Sequence, residues 1–187
     1  MTIMKTLAMF GMAAMLTGCI PSLNPLYTEV DLVQDPALEG VWVEDGDPKN
    51  RLAFFRSSDG AGYEMLLLGA SSTEVFTAHL TQIGDHRYLD IYPKEVSMSD
   101  TYKDHYLAVH TFYRISVEGK FLRLSSIDGE RLEKKIERRE LTIEHARIKK
   151  DLVLTAPTEQ LRRMVAALAA DPDPEVFTKP DVYRRLP

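Results

Sequence analysis

Histidines and acidic residues are the side chains of this sequence best suited to metal binding or proton transfer. His79, His86 and Asp90 have a spacing that places them on one face of a hairpin, where they would offer ligands of the kind zinc binds. His105 and His110 are five residues apart, so a straight strand carries them on opposite faces. The favoured interpretation of His79, His86 and Asp90 is ordinary polar strand residues, and His105 and His110 are not expected to act together. Neither a His-Glu-x-x-His sequence nor a Gly-x-Ser-x-Gly turn occurs, so the sequence predicts no catalytic residue, metal site or cofactor site.

The only cysteine, Cys19, directly follows an apolar stretch near the start of the chain. Lys5 is the only charge before it, residues 7–16 are apolar or small, and Thr17 and Gly18 are small. This order is typical of a secretory signal, and a run of about ten apolar residues is too short to cross a bilayer as a helix. The sequence therefore predicts a signal peptide over residues 1–18.

Leu16-Thr17-Gly18-Cys19 resembles the lipobox of bacterial lipoproteins. The resemblance implies that the signal is cut before Cys19, that the thiol carries a diacylglycerol and that the new amine is acylated. Two or three acyl chains hold a protein at a membrane far more firmly than one. In lipoproteins of two-membrane bacteria an aspartate after the cysteine favours inner-membrane retention. Ile20 stands there in this chain, which implies outer-membrane attachment on the periplasmic face, with the membrane as partner through the lipid on Cys19.

The charge balance separates this chain from nucleic-acid-binding proteins. It carries 23 basic and 28 acidic side chains, a net charge of −5 at pH 7, with no basic stripe interleaved with aromatic residues. Removal of the signal would take away only Lys5 and raise the net negative charge further. We therefore expect no nucleic-acid partner, and we expect the lipid rather than surface charge to supply membrane attachment.

The residues after Cys19 differ from a flexible tether. Residues 19–37 hold three prolines and several apolar side chains, whereas flexible linkers are rich in glycine and serine. The sequence of residues 21–28 is similar to that of an uncharacterised group of bacterial lipoproteins, a resemblance that implies no activity. We expect residues 19–37 to lie on a single β-rich domain that spans residues 38–187.

From residue 38 onward, turn residues separate segments with strand-like composition. Gly84-Asp85 and Glu118-Gly119 are good hairpin signals. The sequence predicts seven strands joined mainly by short turns, which indicates an antiparallel meander. The predicted strands cover residues 38–44, 51–56, 63–68, 73–83, 86–92, 105–117 and 120–127.

Two helices are predicted after the meander. Residues 128–140 are mostly charged, with Leu132 and Ile136 as the only inward candidates, which favours a solvated helix over a recognition surface. Residues 152–154 are predicted as a last strand. Residues 158–170 have apolar side chains at helical spacing and predict an amphipathic C-terminal helix, after which the tail to Pro187 is expected to pack loosely.

Gly40-Val41-Trp42, in the first predicted strand, resembles the Gly-x-Trp of the lipocalins, whose barrel is followed by a helix. Bacterial lipocalins are outer-membrane lipoproteins. The resemblance implies a lipocalin-like closed barrel, although no Thr-Asp-x-x-Tyr is evident and a charged helix interrupts the strands. The predicted fold class is thus mainly β, an antiparallel meander closing toward such a barrel. The alternatives are an open meander sheet packed by the C-terminal helix and, for Trp42, a plain core aromatic at the barrel base.

Two non-catalytic functions fit these observations. The first is binding of an apolar or amphipathic small ligand, since ligand pockets are mostly apolar and the strands supply many aromatic side chains. These are Phe54, Phe55, Tyr63, Phe76, Tyr88, Phe112 and Tyr113. The second is an accessory or interaction protein of an envelope complex, docking through the 128–140 helix or the apolar 19–37 segment.

Overall fold

The computed structural model describes residues 20–94 and 106–187. These residues form eleven β-strands and two α-helices. The strands are β1 (Leu32–Val33), β2 (Gly40–Glu44), β3 (Asp47–Arg56), β4 (Tyr63–Leu68), β5 (Thr73–Ile83), β6 (His86–Pro93), β7 (Thr111–Glu118), β8 (Phe121–Ser126), β9 (His145–Ile148), β10 (Asp151–Leu154) and β11 (Asp181–Arg185). The helices are α1 (Gly129–Glu137) and α2 (Thr158–Ala169).

Eight of these strands close into an antiparallel barrel. Strands β2 to β8 follow one another as an up-and-down meander, β5 also pairs with β6, and β11 lies between β8 and β2. The predicted mainly β fold, a meander closing into a barrel with a charged helix near 128–140 and an amphipathic helix near 158–170, is confirmed.

Both predicted hairpins form, one of them with a shifted turn. Ile83 pairs with His86, which leaves Gly84-Asp85 as the two-residue turn. Glu118 pairs with Phe121, so the second turn is Gly119-Lys120 rather than Glu118-Gly119. Gly84 and Gly119 each have φ +59°, a left-handed conformation that glycine adopts at little cost.

The prediction of a loosely packed C-terminal tail is wrong. Tyr183 in β11 is opposite Leu122 of β8 on one side and Glu44 of β2 on the other. Without β11 those two strands would each present an unpaired edge, so the C-terminal tail supplies the eighth strand of the barrel. The last predicted strand, residues 152–154, does form as part of β10, but β10 pairs with β9 outside the barrel.

Alternating side chains fill the base of the barrel. Trp42 is fully buried, and its indole Nε1 donates a hydrogen bond to the Leu38 carbonyl oxygen at 2.8 Å. The Arg185 guanidinium lies 4.5 Å from the centre of the Trp42 ring. Phe54 and Tyr63 meet edge to face beside them. These contacts fill one end of the barrel with packed side chains.

A second apolar cluster lies outside the barrel wall. The outward side chains of Tyr88 and Phe112 are buried against the helices. Helix α2 contributes the apolar face predicted from its spacing, and all four of its residues are buried: Leu161, Met164, Val165 and Leu168. The wall formed by β6 and β7 is therefore apolar on both faces, which explains why neither face of the β7 sequence resembles a solvent-exposed surface. No helix among the described residues is both long and apolar enough to cross a bilayer.

The described part of the N-terminal segment, residues 20–38, runs along the outside of the barrel and ends at its base. The backbone of Ser22 exchanges hydrogen bonds of 2.9 and 2.8 Å with His110. The side-chain amide of Asn24 donates a hydrogen bond to the Ala156 carbonyl oxygen at 3.0 Å, and Leu26 is fully buried. Hydrogen bonds and buried apolar side chains fix this segment to the domain.

Candidate ligand site inside the barrel

A cavity of about 650 Å³ occupies the barrel interior at the end opposite Trp42. Its inner wall is aliphatic, because inward positions of β3, β4, β6 and β8 carry apolar side chains there. These residues are Leu52, Met65, Leu67, Leu89, Ile91 and Leu124.

The strand ends define where this cavity opens. Thr73 begins β5, Pro93 ends β6, Thr111 begins β7 and Asp181 begins β11. Since neighbouring strands run antiparallel, these four ends lie at one rim, and all four residues line the cavity. The cavity is thus a pocket with an apolar interior and a polar rim.

The rim is acidic. Glu74 and Asp181 are the only charged residues that line the cavity within the described part of the chain. Burial raises the pKa of the Asp181 carboxyl. Burial, followed by the negative charges of Glu44 and Asp181, also raises the pKa of the Tyr183 phenol. Tyr183 therefore remains a neutral hydroxyl at physiological pH.

Few of the aromatic residues predicted to line a pocket do so. Phe76 and Tyr113 line the cavity. Phe54 and Tyr63 fill the base of the barrel, while Phe55 is 49% exposed on its outer face. Tyr88 and Phe112 belong to the outer cluster. The pocket wall is mainly aliphatic, and its acidic rim was missed by the sequence interpretation.

The histidine and aspartate positions form a different arrangement from the predicted one. His79 is opposite Asp90 in the β5–β6 register, but His86 lies at the hairpin end and is exposed. The nearest partner of Asp90 is His110, whose Nδ1 is 2.7 Å from Asp90 Oδ1. His105 lies outside the described residues, and no group of three or more potential metal ligands occurs among those described.

The Asp90 carboxylate instead connects the barrel wall to the N-terminal segment. Its side chain is 1% exposed, and its Oδ2 accepts a hydrogen bond from the Leu26 amide at 2.7 Å. Burial raises the pKa of Asp90, while the contact with His110 opposes that rise. Tyr27 stacks on His79 with ring centres 4.2 Å apart and covers the cluster. This geometry is that of a buried structural link.

The charges of helix α1 are largely satisfied within the chain. Arg131 pairs with Asp173 at 3.2 Å, and Lys135 pairs with Asp171 at 2.7 Å. Leu132 is fully buried and Ile136 packs against the outer cluster, so the helix uses its two apolar residues as predicted. These contacts favour a solvated structural helix over a recognition surface.

Cys19 and the lipobox lie outside the described residues. No family model, curated protein or solved structure matches the chain.

Proposed function

We propose that this protein is a non-catalytic carrier that binds an apolar or amphipathic small molecule inside its barrel. The cavity of about 650 Å³ is the observation that supports this proposal. Small-molecule sites commonly measure about 300–1,000 Å³ and combine apolar walls with a few polar groups. Eight-stranded barrels are wide enough either to be filled by their own side chains or to hold one small ligand.

The contrast between the two halves of the barrel strengthens this argument. At the base, Trp42, Phe54 and Tyr63 fill the interior, as expected for a close-packed core. At the other end, aliphatic side chains such as Leu67 and Leu124 face open space instead of each other. An apolar molecule bound there would remove the aliphatic lining from water, which is favourable in proportion to the apolar area buried.

We further propose that Cys19 carries the lipid that holds the protein at the outer membrane, facing the periplasm. The lipobox and Ile20 support this localisation. Ile20 is buried on the domain, and Ser22 pairs with His110, one residue before β7 begins at the cavity rim. An anchor just before Ile20 would hold the rim close to the bilayer, where amphipathic ligands concentrate.

Binding can be tested with N-phenyl-1-naphthylamine, a neutral probe whose fluorescence rises in apolar surroundings. The protein is residues 20–187, which contain every strand and helix described above and both apolar clusters. We expect saturable binding of one probe per chain. Leu67→Trp would place an indole in the cavity and weaken binding, whereas Leu66→Trp, on the opposite face of β4, would leave it unchanged.

Thermal unfolding of both variants controls for loss of fold. The proposal is contradicted if the wild-type protein gives no saturable signal. It is equally contradicted if two folded variants bind the probe alike, because the probe would then occupy an external surface.

A further inference from the structure

The carboxylates at the cavity rim point to the charge of the ligand. Asp181 has the same strand parity as Tyr183, which is buried inside the barrel, and Glu74 has the same parity as Phe76 and Ala78. Alternation along a strand therefore directs both acidic residues to the interior side of the wall. Both also line the cavity.

Neither carboxylate has an ion-pair or hydrogen-bond partner among the residues that the structure describes. Acidic residues elsewhere on the domain are paired: Asp35 with Arg87, Glu39 with Arg56, and Glu64 with Lys94. The rim is thus a place where negative charge is left uncompensated within the described chain.

A third carboxylate adds to this negative field. Glu44 shares the inward parity of Trp42 and accepts a hydrogen bond of 2.6 Å from the Asn50 side chain. Burial, then the charges of Asp181 and Asp47, raises the pKa of Glu44. Glu44 ends β2 and Asp181 begins the neighbouring β11, so the two carboxylates lie at the same end of the barrel.

No positive charge balances these residues from inside the described barrel. Arg185 shares their inward parity, but it lies at the base over the Trp42 ring and donates a hydrogen bond to the Ala37 carbonyl oxygen. Among the residues that the structure describes, an anionic head at the rim would meet two carboxylates and no cation. A cationic head would meet two acceptors while its apolar chain enters the aliphatic interior.

We propose that the cavity selects amphiphiles with a cationic head, of the alkylammonium class, over neutral and carboxylate amphiphiles of the same length. This inference rests on the proposed function, since it concerns the same cavity. Glu74 and Asp181 are the residues that set the preference.

The test is displacement of N-phenyl-1-naphthylamine from residues 20–187 at neutral pH and low salt. The competitors are dodecylamine, 1-dodecanol and dodecanoate, each kept below its micelle concentration. We expect dodecylamine to displace the probe best and dodecanoate worst, with an affinity ratio of roughly tenfold or more, because opposite and like charges act in opposite directions. Salt should reduce this ratio.

The double variant Asp181→Asn, Glu74→Gln keeps the size of both side chains and removes both charges. We expect the double variant to bind dodecylamine and 1-dodecanol with about equal affinity. Its affinity for 1-dodecanol should equal that of the wild-type protein. Asp85→Asn, in the hairpin turn between β5 and β6, removes one charge far from the rim and should preserve the preference.

Equal displacement by dodecanoate and dodecylamine would overturn the inference and leave the proposed binding function intact. Retention of the full amine preference in the double variant would overturn the role of Glu74 and Asp181. Failure of the neutral probe to bind the wild-type protein would instead overturn the proposed function itself.

Discussion

The backbone amide of Leu26 donates a 2.7 Å hydrogen bond to the buried carboxylate of Asp90, 64 residues away in the sequence. This contact joins the N-terminal segment to the outer wall of β6. Asp90 also lies 2.7 Å from His110, in the loop that precedes β7. One side chain thereby fixes three separate parts of the chain.

Asp90→Ala should destabilise the domain by about 2–3 kcal/mol, because it removes a charge-assisted hydrogen bond and leaves the buried Leu26 amide without its acceptor. Urea unfolding followed by tryptophan fluorescence measures the loss, since Trp42 is the only tryptophan. Asp85→Ala, at an exposed turn, is the control and should cost little. Equal stability of the two variants would show that the Asp90 link contributes nothing.

Tyr88→Phe should leave stability unchanged or raise it by about 1 kcal/mol, because the Tyr88 hydroxyl is buried with no hydrogen-bond partner among the described residues. Tyr63→Phe is the matched comparison. The Tyr63 hydroxyl accepts from the Asp35 amide at 2.7 Å and donates to the Asp35 carbonyl oxygen at 3.1 Å, so its removal should destabilise the fold. Urea unfolding at neutral pH measures the stability of both variants. A larger loss of stability for Tyr88→Phe than for Tyr63→Phe would contradict the view that the Tyr88 hydroxyl is unpaired among the described residues.

Alkaline pH should destabilise the wild-type domain through the same tyrosine. Burial raises the pKa of Tyr88 to about 12, whereas an unfolded tyrosine ionises near about 10. Between those values the unfolded chain loses a proton that the native state keeps, so stability falls as pH rises. Stability measured from pH 9 to 12 should fall less steeply in Tyr88→Phe, and identical slopes would contradict this prediction.

The closing strand provides a further test. Tyr183→Ala should destabilise the barrel by about 3–5 kcal/mol, since it empties a buried aromatic position between β2 and β8. The adjacent Arg184→Ala removes an exposed side chain whose ion pair with Asp45 is worth about 1 kcal/mol or less. Urea midpoints compare the two, and similar small losses would mean that β11 is dispensable.

Local patterns predicted most of the barrel, because all connections from β2 to β8 except the longer one between β6 and β7 are short and contain glycine. The closing strand could not be predicted in this way. Asp181–Arg185 is short, and its pairing partners are about sixty and one hundred and forty residues away in the sequence. Local periodicity therefore does not predict this pairing. The pocket rim was missed for the same reason: Asp181 joins Glu74 at one rim only after β11 closes the barrel.

The aromatic residues illustrate a second limit of sequence interpretation. Tyr88 and Phe112 occupy alternating positions in their strands, as a barrel wall requires. Their side chains point outward, where α2 covers them, so both faces of that wall are apolar. Alternation indicates which residues share a face but does not identify the face that lines a cavity. The Asp90–His110 contact likewise depends on the tertiary approach of the loop before β7 to β6.

The proposed lipid on Cys19 predicts a processing defect in variants of this residue. Cys19→Ser should leave an uncleaved precursor in the inner membrane, because the serine hydroxyl cannot take the diacylglycerol that processing requires. Ile20→Asp should be lipidated and cleaved but retained in the inner membrane. Mass determination and membrane fractionation check both variants, and normal cleavage of Cys19→Ser would contradict lipidation at this residue.

The most direct test of ligand binding inside the barrel is methyl NMR of residues 20–187 labelled with ¹³C at the methionine methyl groups. Met65 lines the cavity, and Met164 of α2 belongs to the outer cluster, so the two report on different cores of the same molecule. Titration with dodecylamine should shift the Met65 resonance to saturation at one equivalent and leave that of Met164 unchanged. An unmoved Met65 resonance under saturating dodecylamine would contradict binding in the barrel.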